Sequence, residues 1–380
     1  MSRPADELLP AFFARAAGEH ARTLASAGEV SRTICLGERA IRLRFAGRAL
    51  ADAITAAFAP RLVADDEPAE VTIGLWEESL VPGGPLALPW RAEEVGPRGL
   101  VRQRPDAPLA AVHEAGSGAV TLVDAAAGAL LHRVSDVSAL PWWERAAPLR
   151  PALFWAVSGQ GRQLVHAGAV GDGSRGGVLL AGAGGSGKTT VALAAASAGM
   201  AYVADDYLLL QAQGEPVAWN LFGTAKLDAE HAARLPELAA AARISPRPEA
   251  GEKAVLDVEK VRPGAVVRSL PIRAVLLPRI RGGRARLHRA SAAQALLALA
   301  PSTALQMPFD EGRVLGALGS LVRRVPAFYL DVGDDPGELA AAVDRVLDVS
   351  ADIAGAGRDG ADAGGAGGAG PRARAGGVVA

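Results

Sequence analysis

The chain has 380 residues, half of them hydrophobic and 21% charged, a composition typical of a globular protein long enough for two domains. Its 40 basic and 41 acidic residues give a formal net charge of −1, so the overall charge favours neither nucleic acid nor an anionic membrane as a partner. Cys35 is the only cysteine, which excludes an internal disulfide and a cluster of thiolate metal ligands.

The sequence shows no sign of export or membrane insertion. No stretch reaches about eighteen uncharged apolar residues, and the first residues include acidic side chains instead of an apolar core. We therefore expect no targeting or transmembrane segment. A single cysteine also fits a reducing compartment, so the sequence predicts a cytoplasmic protein.

The first part of the chain mixes helical and strand patterns. Apolar residues at helical spacing predict an amphipathic helix over 7–27 that ends at Gly28. Further patterns predict strand structure over 33–45 and 71–76, a helix over 48–59, and a hairpin with strands at 111–113 and 119–123. These elements predict a small α+β domain, to which we assign residues 1–145.

The second part is predicted to be a nucleotide-binding domain over 146–350. A strand over 164–170 precedes a short turn, so we expect it to pair antiparallel with the next strand, over 178–181. The remaining patterns predict helices at 151–158, 189–198, 291–299, 310–323 and 336–348, and strands at 200–204, 272–277 and 327–330. The final segment, 351–380, is mostly glycine and alanine and predicts a disordered tail, because it buries too little apolar surface to offset its ordering entropy.

The segment from Gly182 to Thr190 reads GAGGSGKTT and completes the pattern GxxxxGK[ST] between a predicted strand and a predicted helix. Glycines at these offsets let successive N–H groups point at β- and γ-phosphates, at a helix N-terminus that favours an anion. Lys188 adds positive charge, and the Thr189 hydroxyl can reach Mg²⁺. We assign nucleotide binding to Gly182, Gly184, Gly185, Ser186, Gly187, Lys188, Thr189 and Thr190.

Two adjacent carboxylates, Asp205 and Asp206, directly follow the predicted strand over 200–204. Phosphoryl transfer needs a metal ligand and a group that orients or deprotonates the acceptor, and an adjacent acidic pair can supply both. Successive strand residues face opposite sides, so the spacing does not decide which aspartate has which role. Without the neighbouring phosphate loop, a solvated strand end would be the better interpretation.

His166 lies among apolar residues on the strand expected beside the phosphate loop. There an imidazole could tune a carboxylate or contact the transferred group, and a packed structural histidine is an equal alternative.

The basic run over 279–286 contains two glycines and predicts a solvated hairpin tip.

Three segments together resemble a known family: His166-Ala-Gly-Ala, the loop Gly182–Thr190, and Val203-Ala-Asp-Asp206. They are similar to the nucleotide domain of HPr kinase/phosphorylase and its relatives, including kinases encoded with lasso-peptide precursors. The resemblance extends over residues 150–348. It implies an α/β fold with a mixed sheet, shared with phosphoenolpyruvate carboxykinase, and the use of ATP and Mg²⁺.

The resemblance also implies roles for individual residues. These are the active-site histidine His166, the phosphate and Mg²⁺ contacts Lys188 and Thr189, the metal-side carboxylate Asp205 and the base Asp206. Lys226 and Lys253 lie where the family builds its acceptor side, although both also fit exposed surface lysines. Thr190 stands where the bifunctional enzymes usually carry glutamate, which implies a specialised relative and not the HPr-directed enzyme.

The sequence therefore predicts an ATP-dependent kinase that transfers the γ-phosphoryl group to a hydroxyl, expected to be a serine of a protein or peptide. Two alternatives stay open. One is a nucleotide-binding regulatory or ATPase module that phosphorylates no acceptor, and the other is a small-molecule kinase. The sequence predicts no nucleic-acid or membrane partner, and a homo-oligomer is compatible with it.

Overall fold

The computed structural model describes residues 5–101, 109–157, 161–228, 238, 240, 242–244, 251–304 and 311–362. The described helices are α1 (Ala5–Ala27), α2 (Arg48–Thr55), α3 (Trp142–Ala146), α4 (Arg150–Ala156), α5 (Lys188–Ser197), α6 (Val258–Val261), α7 (Ala292–Ala304), α8 (Glu311–Arg324) and α9 (Pro336–Asp362), with 3₁₀ turns at Ala56–Arg61, Glu78–Leu80 and Ala92–Glu94. None of these helices is both long and apolar enough to cross a membrane.

The strands form three sheets. In chain order they are β1 (Glu29–Leu36), β2 (Arg39–Ala46), β3 (Leu62–Val63), β4 (Val71–Glu77), β5 (Leu109–Glu114), β6 (Ala119–Asp124), β7 (Ala129–Val134), β8 (Arg162–His166), β9 (Gly168–Asp172), β10 (Gly176–Leu180), β11 (Ala201–Ala204), β12 (Tyr207–Gln211), β13 (Val217–Asn220), β14 (Thr224–Leu227), β15 (Ala242–Ile244), β16 (Ala254–Asp257), β17 (Ser269–Ile280), β18 (Arg286–Ala290) and β19 (Ala327–Val332). Parallel and antiparallel pairs occur in the two larger sheets, so the protein has the mixed α/β fold that the sequence predicts.

The first sheet has the strand order β3-β1-β2-β4-β7-β6-β5. Helix α1 packs on it through Leu9, Phe12 and Ala16, which belong to an apolar cluster with Trp76 and Trp90. The spacing of these α1 residues places them on one helical face, which explains why the amphipathic pattern predicts the helix well. The predicted hairpin is also present, because β5 and β6 pair antiparallel.

The second sheet contains the order β11-β9-β10-β17-β13-β12-β8, and β19 pairs with both β17 and β18. The strand predicted over 164–170 is in fact two strands that separate at Ala167. Only the second, β9, pairs antiparallel with β10 as expected, whereas β8 pairs antiparallel with β12. Gly168 permits this arrangement, because a Cβ there would lie 3.0 Å from the carbonyl oxygen of Ala204.

The basic run over 279–286 is not a hairpin tip. Strands β17 and β18 flank it, but both pair with β19 and not with each other. Two of its arginines are bound to carboxylates on other elements: Arg279 donates to Asp331, and Arg284 donates to Glu338. The run is therefore tied to β19 and α9.

The predicted tail begins too early. Helix α9 continues to Asp362, so residues 351–362 are helical where the sequence predicts disorder. The helix is anchored by Val343, Val346 and Leu347, which are buried in the same apolar cluster as α5. Residues 363–380 lie outside the described residues.

One apolar core crosses the boundary predicted near residue 145. It contains Phe45 and Phe58 from the first part of the chain, and Leu209 and Phe222 from the second. The rings of Phe58 and Phe222 pack with their centroids 5.2 Å apart. The division into domains at 1–145 and 146–350 stays a prediction, and the two parts share this core.

Because the core is shared, we predict that Phe58→Ala lowers the free energy of unfolding by about 3–5 kcal/mol and destabilises both parts together. Urea unfolding followed by tryptophan fluorescence and by circular dichroism would measure the loss. Leu297→Ala is the control, since Leu297 is 72% exposed and should change stability by less than about 0.5 kcal/mol. Two separate transitions, only one of them shifted by Phe58→Ala, would contradict the shared core.

Candidate active site

The segment 182–187, which is predicted to bind phosphates and is called the phosphate loop here, connects β10 to α5, and its glycines serve two purposes. Gly182 and Gly187 have positive φ values of 152° and 104°, and a Cβ at Gly187 would lie 3.0 Å from Cγ2 of Val332. The fold therefore requires glycine at both ends of the loop. At the tip, nothing lies within 4 Å of a Cβ built on Gly184 or Gly185. This exposed tip leaves room for a ligand to approach the backbone closely.

Lys188 occupies the inside of the loop. Its ammonium donates to the carbonyl oxygens of Gly182 at 2.8 Å and Ala183 at 3.2 Å. Burial lowers the pKa of Lys188, and the carboxylates Asp206 and Asp205 partly oppose this effect. The positive charge that the motif needs is thus held at the loop, next to the acidic pair.

Two other loop residues differ in their surroundings. The hydroxyl oxygen of Ser186 is buried and has no hydrogen-bond partner among the described residues. Thr190 is buried on α5, so its side chain is not exposed at the loop surface.

Asp205 is buried and accepts hydrogen bonds on both carboxylate oxygens. Thr189 donates from its hydroxyl to Oδ2 at 2.9 Å, and the backbone N–H of Lys226 donates to the same oxygen at 3.2 Å. The hydroxyl of Tyr202 donates to Oδ1 at 3.0 Å. Burial raises the pKa of Asp205, and the negative charge of Asp206 raises it further. Thr189 and Asp205 together present two oxygens at one point beside the loop.

Asp206 is bound by a histidine and a lysine. Nε2 of His166 donates to Oδ1 at 2.6 Å, and the ammonium of Lys226 forms an ion pair with Oδ2. Burial alone would raise the pKa of Asp206, but Lys226 and His166 outweigh burial and hold the pKa well below its ordinary value. Strand pairing creates this contact, because His166 on β8 lies opposite Tyr207 on β12.

The two candidate acceptor-side lysines differ in exposure and in the carboxylate that each one contacts. Lys226 has a side chain only 13% exposed and bound to Asp206, so the alternative of an exposed surface lysine is wrong for it. Lys253 is 37% exposed, and its ammonium lies 3.8 Å from the carboxylate of Asp228. Among the tentative acceptor-side residues, therefore, only Lys226 contacts the acidic pair.

A cavity of about 640 Å³ opens beside this group of residues. The site residues His166, Asp206 and Lys226 line it together with Gly184 of the phosphate loop. The rest of its lining includes residues that the sequence analysis did not select: Arg98, Glu114, Trp142, Trp143, Arg150 and Tyr207. No motif joins these residues in sequence, and only the Trp142-Trp143 pair stands out as a large aromatic signal.

The residues also indicate how Mg²⁺ could be held. The described residues contain no group of three or more histidine, cysteine, aspartate or glutamate side chains arranged to bind a metal. Thr189 Oγ1 and Asp205 Oδ2, 2.9 Å apart, form a pair of hard oxygen ligands. Mg²⁺ commonly takes one or two protein oxygens and completes its shell with water and substrate phosphates, which is the arrangement that this pair fits.

Comparison with known proteins gives little further information. No protein-family model matches the chain, and no curated protein matches its sequence. In structure, the chain is similar to the Hpr(Ser) kinase/phosphatase from Coxiella burnetii, with 14% sequence identity, a TM-score of 0.31, and coverage of 54% of this chain and 99% of that chain. A likeness of this size does not carry an activity from one protein to the other.

The ion pair between Lys226 and Asp206 yields a stability prediction. Lys226→Met should lower the free energy of unfolding by about 3–5 kcal/mol at pH 7, because it leaves a buried carboxylate without its cation. The low folded-state pKa of Asp206 stabilises the wild type above the unfolded pKa, and this contribution is lost as pH falls through the folded value. The stabilising contribution of ionised Asp206 to the wild type should therefore be complete at pH 7 and begin to shrink only as pH falls below about 4.

Two variants control this measurement by urea unfolding. The double variant Asp206→Asn/Lys226→Met removes both charges and should recover most of the loss. Lys253→Met removes a more exposed lysine and should cost less than about 1 kcal/mol. A loss for Lys226→Met no larger than that for Lys253→Met would show that the ion pair is unimportant for stability.

Proposed function

We propose that this protein is an ATP-dependent kinase that transfers the γ-phosphoryl group to a hydroxyl, expected to be a serine of a protein or peptide. The proposal rests on the hydrogen bond between Thr189 and Asp205, which joins the phosphate loop to the acidic pair. Asp206, the next residue, lines the cavity that also reaches the loop tip. A nucleotide on the loop and an acceptor in the cavity would thus meet at Asp206.

The loop fits the triphosphate of ATP in three respects. Its tip is open at Gly184 and Gly185, Lys188 supplies a positive charge, and the buried Ser186 hydroxyl is an unused donor or acceptor in the described structure. Thr189 and Asp205 would hold Mg²⁺. When bound, Mg²⁺ supplies positive charge that offsets the charge on the phosphates.

We assign to Asp206 the role of receiving the acceptor proton, since it lines the cavity and its low pKa keeps it ionised. In the transfer, the acceptor oxygen bonds to the γ-phosphorus, the bond from that phosphorus to the β,γ-bridging oxygen breaks, and the hydroxyl proton passes to Asp206. Its low pKa makes it a weak base, but phosphoryl transfer depends more on orientation of the hydroxyl than on base strength. His166 and Lys226 hold the carboxylate in place and keep it ionised.

A small-molecule kinase is the second candidate. The cavity volume of about 640 Å³ lies within the range of small-ligand sites, so it favours a compact acceptor as much as a peptide segment. The wider proposal includes a fold related to phosphoenolpyruvate carboxykinase, membership of the HPr kinase-related group and a cytoplasmic location. The three resembling segments support the fold and the group membership, and the single cysteine supports the location.

Lys188→Ala should weaken ATP binding by at least about tenfold and abolish turnover, because the loop loses the charge that offsets the phosphates. Isothermal titration calorimetry with ATP and Mg²⁺ would measure the affinity. Lys260→Ala is the matched control and should bind ATP like the wild type, since the Lys260 side chain is 75% exposed and its ammonium pairs with Asp257. Equal ATP affinity in the wild type and Lys188→Ala would rule out the phosphate-loop assignment.

Asp206→Asn should leave ATP affinity nearly unchanged and reduce transfer by about 10²- to 10⁴-fold, the range usual for a positioned acid or base. Asp205→Asn should act through the metal instead, so excess Mg²⁺ or Mn²⁺ should partly restore its activity and not that of Asp206→Asn. Labelled ATP incubated with serine peptides and small hydroxyl compounds, across a metal titration, gives both readouts. Label released only as free phosphate would favour the ATPase alternative, and wild-type transfer by both variants would refute the kinase proposal.

A further inference from the structure

The cavity beside Asp206 has a second wall that belongs to the first part of the chain. Glu114 lies at the end of β5, and Trp142 and Trp143 begin α3. All three line the same cavity as Asp206. An acceptor whose hydroxyl reaches Asp206 would therefore place the rest of its structure against this wall, and the wall's chemistry would select it.

At this wall two carboxylates share a single guanidinium group. Nη2 of Arg150 lies 2.6 Å from Oε1 of the buried Glu144 and 3.7 Å from Oε1 of Glu114. Of these two contacts, the one between Arg150 and Glu144 is the shorter. The side chain of Glu114 is 21% exposed, and its Oε2 is buried with no hydrogen-bond partner among the described residues. When it is ionised, Glu114 therefore contributes negative charge that Arg150 only partly offsets.

The other cations that line the cavity are already engaged. Lys226 is paired with Asp206, and Nη1 of Arg98 donates to the carbonyl oxygen of Ala304 at 2.9 Å. An anionic acceptor would have to compete with Asp206 for Lys226 and with the Ala304 carbonyl oxygen for Arg98. Once Glu114 is ionised, a cationic acceptor would instead supply the second positive charge that Glu114 and Glu144 lack while they share Arg150.

The two tryptophans strengthen the preference for a cation. Their rings pack edge to face with centroids 5.6 Å apart, and both side chains are partly exposed. The face of an indole attracts ammonium and guanidinium groups, and Trp142 already has the Lys226 ammonium 5.8 Å from its ring centre. A carboxylate beside two indole rings is a combination that recognises an organic cation.

We propose that Glu114, Trp142 and Trp143 form a subsite for an ammonium or guanidinium group, and that the acceptor is a hydroxyl-bearing peptide segment with a lysine or arginine near that hydroxyl. The identification of the ligand as an acceptor rests on the proposed kinase function. The binding of the cation does not, so the two can be tested separately.

The subsite should also respond to pH. Burial, together with the charge of Glu144, raises the pKa of Glu114 to about 8, and Arg150 opposes this rise. The neighbouring His113 has a lowered pKa and Tyr207 a raised one, so neither carries charge near neutral pH. A cation binds the ionised form of Glu114. Its affinity should therefore increase as pH rises through about 8.

The first experiment measures binding of N-acetylarginine amide to the full chain without nucleotide, by isothermal titration calorimetry. N-acetylglutamine amide is the neutral control probe. At a pH above about 8, where Glu114 is ionised, the arginine probe should bind at least about tenfold more tightly, and Glu114→Gln should remove that advantage. Trp143→Leu should weaken the arginine probe about fivefold through loss of the indole face, which gives a second variant with an intact Glu114–Arg150 pair. Glu93→Gln, which changes an exposed carboxylate, should leave the binding of both probes unchanged.

The second experiment compares phosphorylation of acetylated serine peptides that differ only in one neighbouring residue, which is arginine, alanine or glutamate. At a pH above about 8, the arginine peptide should have a kcat/KM at least about tenfold above the other two, and Glu114→Gln should bring the ratio close to one. Cation binding that depends on Glu114, without any phosphopeptide, would retain the subsite and reject the kinase. Phosphopeptides formed without a preference for arginine, or equal binding of both probes, would overturn the subsite and leave the kinase proposal standing.

Discussion

The arrangement of this site depends on one largely buried carboxylate, that of Asp206, whose side chain is 19% exposed. A carboxylate out of water must be paired and hydrogen-bonded or lose its charge, and here a lysine and a histidine from two other strands meet that need. His166 comes from β8 of the second sheet, and Lys226 comes from β14 of the third. The requirement to satisfy Asp206 therefore holds two sheets together at the phosphate loop. It also keeps Asp206 ionised at the edge of the cavity.

Asp205 and Asp206 carry the same chemical group, but their surroundings shift its pKa in opposite directions. Asp205 is surrounded by neutral donors, and burial raises its pKa, whereas Asp206 has a cation beside it and its pKa is lowered. Opposite shifts in adjacent carboxyl groups are a familiar basis for different roles in catalysis. The bond from Thr189 to Asp205 and the contact of Asp206 with the cavity agree with a metal-side role for the first and an acceptor-side role for the second. The proposed kinase mechanism uses this division.

The first part of the chain is joined to the second in structure and in the proposed function. The shared core around Phe58 and Phe222 fixes the first sheet against β12 and β13. The same packing brings Glu114 and the two tryptophans to the cavity. Stability and acceptor choice would then depend on one interface, so substitutions in the first sheet could alter specificity without touching the phosphate loop. The Arg150 guanidinium would contribute to both stability and acceptor choice, because it binds Glu144 and lies near Glu114 and Tyr207.

The sequence by itself determined the local features. Glycine spacing and a following lysine define the phosphate loop, helical periodicity defines α1, and an acidic pair after a short strand marks Asp205 and Asp206, because each depends on residues close together in the chain. Tertiary structure alone decided where the strand through His166 divides, which lysine reaches Asp206, and that Glu114 and Trp142 face the site. These outcomes depend on contacts between residues far apart in sequence, such as His166 opposite Tyr207 and Lys226 beside Asp206. Short-range patterns record which residues can form a strand or carry a charge, but not which distant partner completes the pairing.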